Sequence, residues 1–126
     1  MNQSAQLRVL VVDDHVDAAE TMGMLLGALG VAHRLAFDGE QAISNVRAFA
    51  PHAVFLDLGM PAMDGYEVAR RIRNLPGGDA LVLVALTGWA HAEHLAHAAG
   101  FDHHLRKPAD LAQLTEELRS IRTIAI

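Results

Sequence analysis

The sequence contains no cysteine. That excludes disulfides, thiolate metal sites and a cysteine nucleophile, and it fits a reducing compartment. Positive charge is also scarce: ten Lys+Arg stand against fifteen Asp+Glu, a formal charge of −5. A nucleic-acid module would carry the opposite balance. The only lysine, Lys107, follows Arg106 rather than glycine, so no P-loop for nucleotide phosphates can be built. No apolar run approaches the roughly 18 residues that a membrane helix needs. Met1–Gln6 lacks the charged and apolar regions of a secretory leader. Repeats, low-complexity tracts and Pro/Ser-rich linkers are missing as well. The expectation is a cytoplasmic, acidic, single domain over residues 1–126, and 52% hydrophobic content is enough to bury a core.

What is present is alternation. Short apolar runs at Leu7–Val12, His33–Phe37, Ala53–Leu56, Leu81–Leu86 and Asp102–Leu105 are separated by amphipathic stretches. The first, third and fourth runs are nearly continuous Val/Leu/Phe/Ala, as in strands buried on both faces. The other two are more polar and fit sheet edges. His15–Leu29 has Ala19, Met22, Leu26 and Leu29 at helical spacing and stops at Gly30. Asp38 with Gln41, and Asp110 with Gln113, have capping-box spacing ahead of further helices. Asp64–Asn74 reads as a helix broken by Pro76-Gly77-Gly78, and Trp89–Ala99 as one ending at Gly100. Five strand–helix units at this length predict an α/β fold with an open, doubly wound parallel sheet. In such a sheet the working residues lie beyond the carboxyl ends of the strands.

Those ends carry Asp13-Asp14, Asp57, Thr87-Gly88 and Arg106-Lys107-Pro108. Three carboxylates, a hydroxyl and an ammonium would share one edge. Lys107 offsets one negative charge and leaves a surplus of about two, which suits a hard divalent cation such as Mg²⁺ with oxygen ligands. A carboxylate facing a metal-bound phosphoryl donor can form an acyl phosphate. Thr87 and Lys107 could stabilise the transferred oxygens. Taken singly, Asp13 reads equally well as a helix N-cap, Thr87 as a turn residue and Lys107 as a surface lysine. Asp57 is the sharpest signal, because a charge directly after Ala53-Val54-Phe55-Leu56 is costly unless used.

Val9-Leu10-Val11-Val12-Asp13-Asp14, Asp57-Leu58-Gly59-Met60-Pro61-Ala62-Met63-Asp64-Gly65, Ala85-Leu86-Thr87-Gly88 and Lys107-Pro108 together resemble the receiver domain of two-component response regulators. The resemblance covers about residues 7–122. It implies a flavodoxin-like (βα)5 fold with strand order 2-1-3-4-5. It also implies phosphotransfer from a histidine kinase, or a histidine phosphotransfer domain, to Asp57 with Mg²⁺ as cofactor. Asp14 would be the direct acidic metal ligand, Asp13 would help mainly through water, and Asp57 and the Gly59 carbonyl would complete the protein ligands. Thr87 would be the switch hydroxyl, and Lys107 would contact the phosphoryl group. The Lys107–Pro108 bond would be cis. Gly65 would open the third helix, and Gly88 would leave space beside the phosphoryl group. The switch aromatic is replaced by His104, and with Ala98–Leu105 this is similar to receivers attached to hybrid sensor kinases. Lys107 follows Thr87 by 20 residues, a couple fewer than the family pattern, so the intervening helix or its leading loop should be trimmed. The implied protein is a signalling switch rather than an enzyme, a monomer or weak dimer, without nucleic-acid or membrane partners. Its output would lie in a protein contact, a relay step or another domain.

Two other classes share parts of the pattern. An aspartyl-phosphate hydrolase would use the same Asp57 and Mg²⁺, but position 59 is glycine where a general acid is needed. A phosphorylation-independent binding scaffold would not need the full set Asp13, Asp14, Asp57, Thr87 and Lys107. Separately, His91, His94 and His97, with Glu93 beside them, could bind a transition metal. Their spacing drifts around a helix, and the plain reading is a solvated face that gains charge below about pH 6.5.

Overall fold

The computed structural model describes residues 6–59, 64–88 and 100–125. In chain order the elements are β1 (Arg8–Val12), α1 (Val16–Ala28), β2 (Ala32–Ala36), α2 (Gly39–Phe49), β3 (Ala53–Asp57), α3 (Gly65–Arg73), a 3₁₀ turn (Gly78–Ala80), β4 (Val82–Thr87), β5 (His103–Arg106) and α4 (Leu111–Ala125). The strands form one sheet in the order β2-β1-β3-β4-β5. Every neighbouring pair is parallel. This is the flavodoxin-like order that the resemblance implied. The expected helix over Trp89–Ala99, with its three histidines, lies outside the described residues, as do Met60–Met63. No helix among the described residues is long and apolar enough to cross a membrane.

Alternation along each strand splits the buried side chains into two cores, one on each face. Val9, Val11, Phe55, Val84 and Leu86 pack with Ala19 and Leu26 of α1 and with Leu114, Leu118 and Ile121 of α4. Leu10, Val12, Val54, Leu56 and Ala85 pack with Ala42 and Val46 of α2 and with Val68, Ala69 and Ile72 of α3. The central strands are apolar at every interior position because both faces are covered.

Strand ends differ by one residue from the apolar runs, for a physical reason. Backbone pairing ignores side-chain polarity. It therefore continues through Asp57, paired with Leu86, and through Thr87, paired with Arg106. Both polar residues are the last of their strands rather than the first of a loop. Conversely, β2 stops at Ala36 because the Phe37 N–H donates to Gln41 Oε1 at 2.8 Å and leaves the ladder.

The helix starts follow local side-chain capping. The Gln41 N–H donates to Asp38 Oδ1 at 2.8 Å. At α4 the exchange is reciprocal, with the Gln113 N–H to Asp110 Oδ1 at 2.8 Å and the Asp110 N–H to Gln113 Oε1 at 3.1 Å. At α1 the cap is His15, whose Nδ1 accepts from the Ala18 N–H at 3.1 Å. Asp13 is therefore not the cap.

The α3–β4 connection turns on Arg73. Its Nη1 donates to the carbonyls of Gly78 and Leu81 at 2.8 and 2.6 Å. Its Nη2 donates to the Gly100 carbonyl at 2.7 Å and to Asp102 Oδ2 at 2.8 Å. Gly78 fits here only because it lacks a side chain: a Cβ would sit 2.1 Å from the Ile72 carbonyl oxygen.

Candidate functional site

Parallel pairing sets β1 and β3 side by side, with Val12 opposite Leu56, so Asp13 and Asp57 emerge level at the carboxyl edge. Both continue the alternation of the α1/α4 face, after Val11 and Phe55 respectively. Beyond β5, Lys107 follows Leu105 in the same phase. The Lys107 N–H donates to the Thr87 carbonyl at 2.8 Å and holds this segment against β4. The peptide bond between Lys107 and Pro108 is cis.

One local device orients both carboxylates. Asp13 Oδ1 accepts the N–H of His15 at 3.0 Å, and Asp57 Oδ1 accepts the N–H of Gly59 at 2.9 Å. In each case an aspartate side chain bonds its own backbone two residues on. The remaining oxygens then face the same cation. Lys107 Nζ donates to Asp13 Oδ2 at 3.2 Å and to Asp57 Oδ2 at 3.3 Å, across 94 and 50 residues of chain. Asp13 and Asp57 are 2% and 6% exposed, so neither is a solvated surface acid. Asp14 is half-buried, and oxygens of Asp13, Asp14 and Asp57 lie within 4.8 Å of one another.

The electrostatics follow from that packing. Burial pushes the Asp57 carboxyl above its ordinary pKa, and Asp13 beside it adds to the rise. The Gly59 amide and the Lys107 ammonium oppose it without cancelling it. Burial alone would lower Lys107, but Asp57 and Asp13 outweigh it and raise the ammonium above its ordinary value. Three carboxylates against one ammonium leave negative charge uncompensated. The donors are all hard oxygens, which suits Mg²⁺ or Ca²⁺ and not a soft metal.

Thr87 is buried at the end of β4, one residue beyond the Leu86 that pairs with Asp57. His104 is exposed, pairs with Ala85, and lies on the opposite face of β5 from Leu105. Among the described residues a Cβ at Gly88 would meet nothing within 4 Å. Gly65 is the first residue of α3, and a Cβ there would come within 2.9 Å of the Asp57 carbonyl oxygen. That close approach, and the roles of the His15 and Gly59 amides, were not read from the sequence. The signal for the amides was available in the tendency of Asp to bond the N–H two residues on.

A sequence model of the response regulator receiver domain matches residues 9–119. The chain belongs to this family. Among curated relatives, the response regulator MprA of Mycolicibacterium vanbaalenii is 36% identical over 116 residues. That match covers 91% of this chain and 50% of MprA, so this receiver spans about half of that relative's length. An uncharacterised 14.6 kDa protein of Leptolyngbya boryana is 35% identical over 116 residues, covering 90% of this chain and 88% of that protein. Among solved structures, a CheY-like response regulator receiver domain from Methylobacillus flagellatus superposes with a TM-score of 0.83 at 32% identity, covering 93% of this chain and 99% of that one.

Proposed function

We propose that this receiver accepts a phosphoryl group on Asp57 from the phosphohistidine of a histidine kinase or histidine phosphotransfer domain, as a step in a cytoplasmic two-component relay. The observation that carries this reading is Lys107 Nζ held between Oδ2 of Asp13 and Oδ2 of Asp57. In the transfer, an ionised Asp57 oxygen forms a bond to phosphorus as the donor's P–N bond breaks. The donor imidazole leaves with the bonding pair and takes up a proton. The Gly59 amide holds the carboxylate in one orientation, and Lys107 neutralises charge on the transferred oxygens. Asp13, Asp14 and Asp57, with the Gly59 carbonyl, would hold Mg²⁺. The ion when bound offsets the carboxylates and draws electron density from the phosphoryl oxygens. Thr87 serves as the switch hydroxyl. The added phosphoryl charge then favours one of two conformations and changes a protein-binding surface.

This is a switch rather than a turnover enzyme. Position 59, where a hydrolase would place its general acid, has no side chain, and its amide is committed to Asp57. The test is incubation of the full chain with acetyl phosphate and Mg²⁺, read by intact mass. The expected result is one phosphoryl adduct per chain, absent from Asp57→Asn and absent when EDTA is added. Equal incorporation in Asp57→Asn would remove Asp57 from the acceptor role.

A further inference from the structure

The pole opposite Asp57, where β1, β3 and β4 begin, contains a cavity of about 730 Å³. Its apolar walls include Val46, Pro51, Leu75 and Leu81, and its polar lining includes Arg8, Arg47 and His52. Among the described residues no carboxylate side chain lines it, in a chain of net charge −5. Elsewhere Arg70, Arg71, Arg73 and Arg119 each reach an acidic side chain. Arg8 and Arg47 make no ion pair among the described residues. Arg8 Nε donates to the Ala50 carbonyl at 2.9 Å, which anchors the guanidinium and leaves its two Nη groups for another acceptor. The Arg8 N–H donates to His52 Nδ1 at 3.0 Å, so in the neutral ring Nε2 carries the proton. Burial, then the Arg8 charge, lowers the His52 pKa and favours the neutral ring. A guanidinium anchored through Nε, a second one without an ion pair among the described residues, and an imidazole thus border an apolar space of the size that takes small ligands. A planar guanidinium fork matches the two oxygens of a carboxylate or phosphate.

We propose that this cavity binds a small amphipathic anion, its carboxylate or phosphate head held by Arg8 and Arg47 and its hydrocarbon body against Val46, Leu75 and Leu81. Occupancy would leave the Asp57 pole open, so the site stands independently of the phosphotransfer reading.

The test is an amide NMR titration of the full chain with four probes: octanoate, octyl phosphate, acetate and octylammonium. Saturable shifts at residues 47–52 and 75–81 are expected with octanoate or octyl phosphate, and the tighter of the two identifies the head group. Acetate and octylammonium should bind at least about tenfold more weakly, since each lacks one half of the recognition. Arg47 is exposed, so Arg47→Glu should fold normally and weaken the anion by about tenfold or more. Absence of shifts with both eight-carbon anions at millimolar concentration overturns the proposal. So does equal binding of octylammonium or of acetate, or full affinity in Arg47→Glu.

Discussion

Lys107 balances two buried carboxylates from one partly exposed position. Its side chain is 32% exposed, against 2% for Asp13 and 9% for Asp57. Removing it leaves acids that water reaches poorly. Lys107→Met should lower stability by about 1–3 kcal/mol in divalent-free buffer, less than for a fully buried pair because solvent reaches the lysine. Mg²⁺ should restore more of that loss than it adds to the wild type, as urea melts would show. Asp57 works in the other direction. Its folded-state pKa lies above the ordinary carboxylate value of 3.8. Its contribution to stability is therefore fully present below pH 3.8 and is lost as pH rises through the folded-state value. At pH 7 the ionised group burdens the fold. Asp57→Asn should melt above the wild type at pH 7 without divalent ions, and the gap should close as pH falls toward 4. A wild type that is the more stable partner at pH 7 would contradict the inferred burden.

At the scale of elements, the sequence was most informative where one local rule decides. Strands β1, β3 and β4 were legible because both faces are covered, which makes them continuous apolar runs. The starts of α2 and α4 were legible from Asp38/Gln41 and Asp110/Gln113. The start of α1 was legible at His15 from apolar spacing, but that His15 rather than Asp13 provides the cap was not, since histidine is not a residue that signals one. The convergence of Asp13, Asp57 and Lys107 followed from parallel strands alone. Which oxygen meets the lysine did not, because that depends on the His15 and Gly59 amides. Arg73 was illegible for a different reason. Three of its acceptors are backbone carbonyls, at Gly78, Leu81 and Gly100, and only the assembled fold brings them together. It joins the end of α3 to the approaches of β4 and β5, with a side chain only 17% exposed. Lysine offers fewer donors and no planar fork. Arg73→Lys should cost about 2–3 kcal/mol in chemical denaturation while leaving the Asp57 edge chemically intact.

For the molecule as a whole, an ion held at the acidic edge, as the proposed function requires, would couple its binding to folding. The candidate oxygens, of Asp13 and Asp14 just beyond β1 and of Asp57 at the end of β3, exist as a set only when the sheet is assembled. A ligand that binds only the folded chain stabilises it, by about 1.4 kcal/mol when Mg²⁺ stands at ten times its dissociation constant. Thermal melts across a Mg²⁺ series should rise accordingly, and the rise should shrink sharply in Asp14→Asn. The two ends of the sheet also differ in sign. Beside Asp13, Asp14 and Asp57, a neighbouring cavity is lined by Asp38, Glu40, Asp64 and Glu67, with Arg71 as its cation. Arg8 and Arg47 lie at the far end. The residues lining these two cavities thus differ in charge along the strands. A partner with a basic face would rotate the chain during the last Debye length of approach, about 10 Å at 0.1 M salt, and meet the Asp57 end first. Added salt would slow such encounters before it weakened the complexes they form.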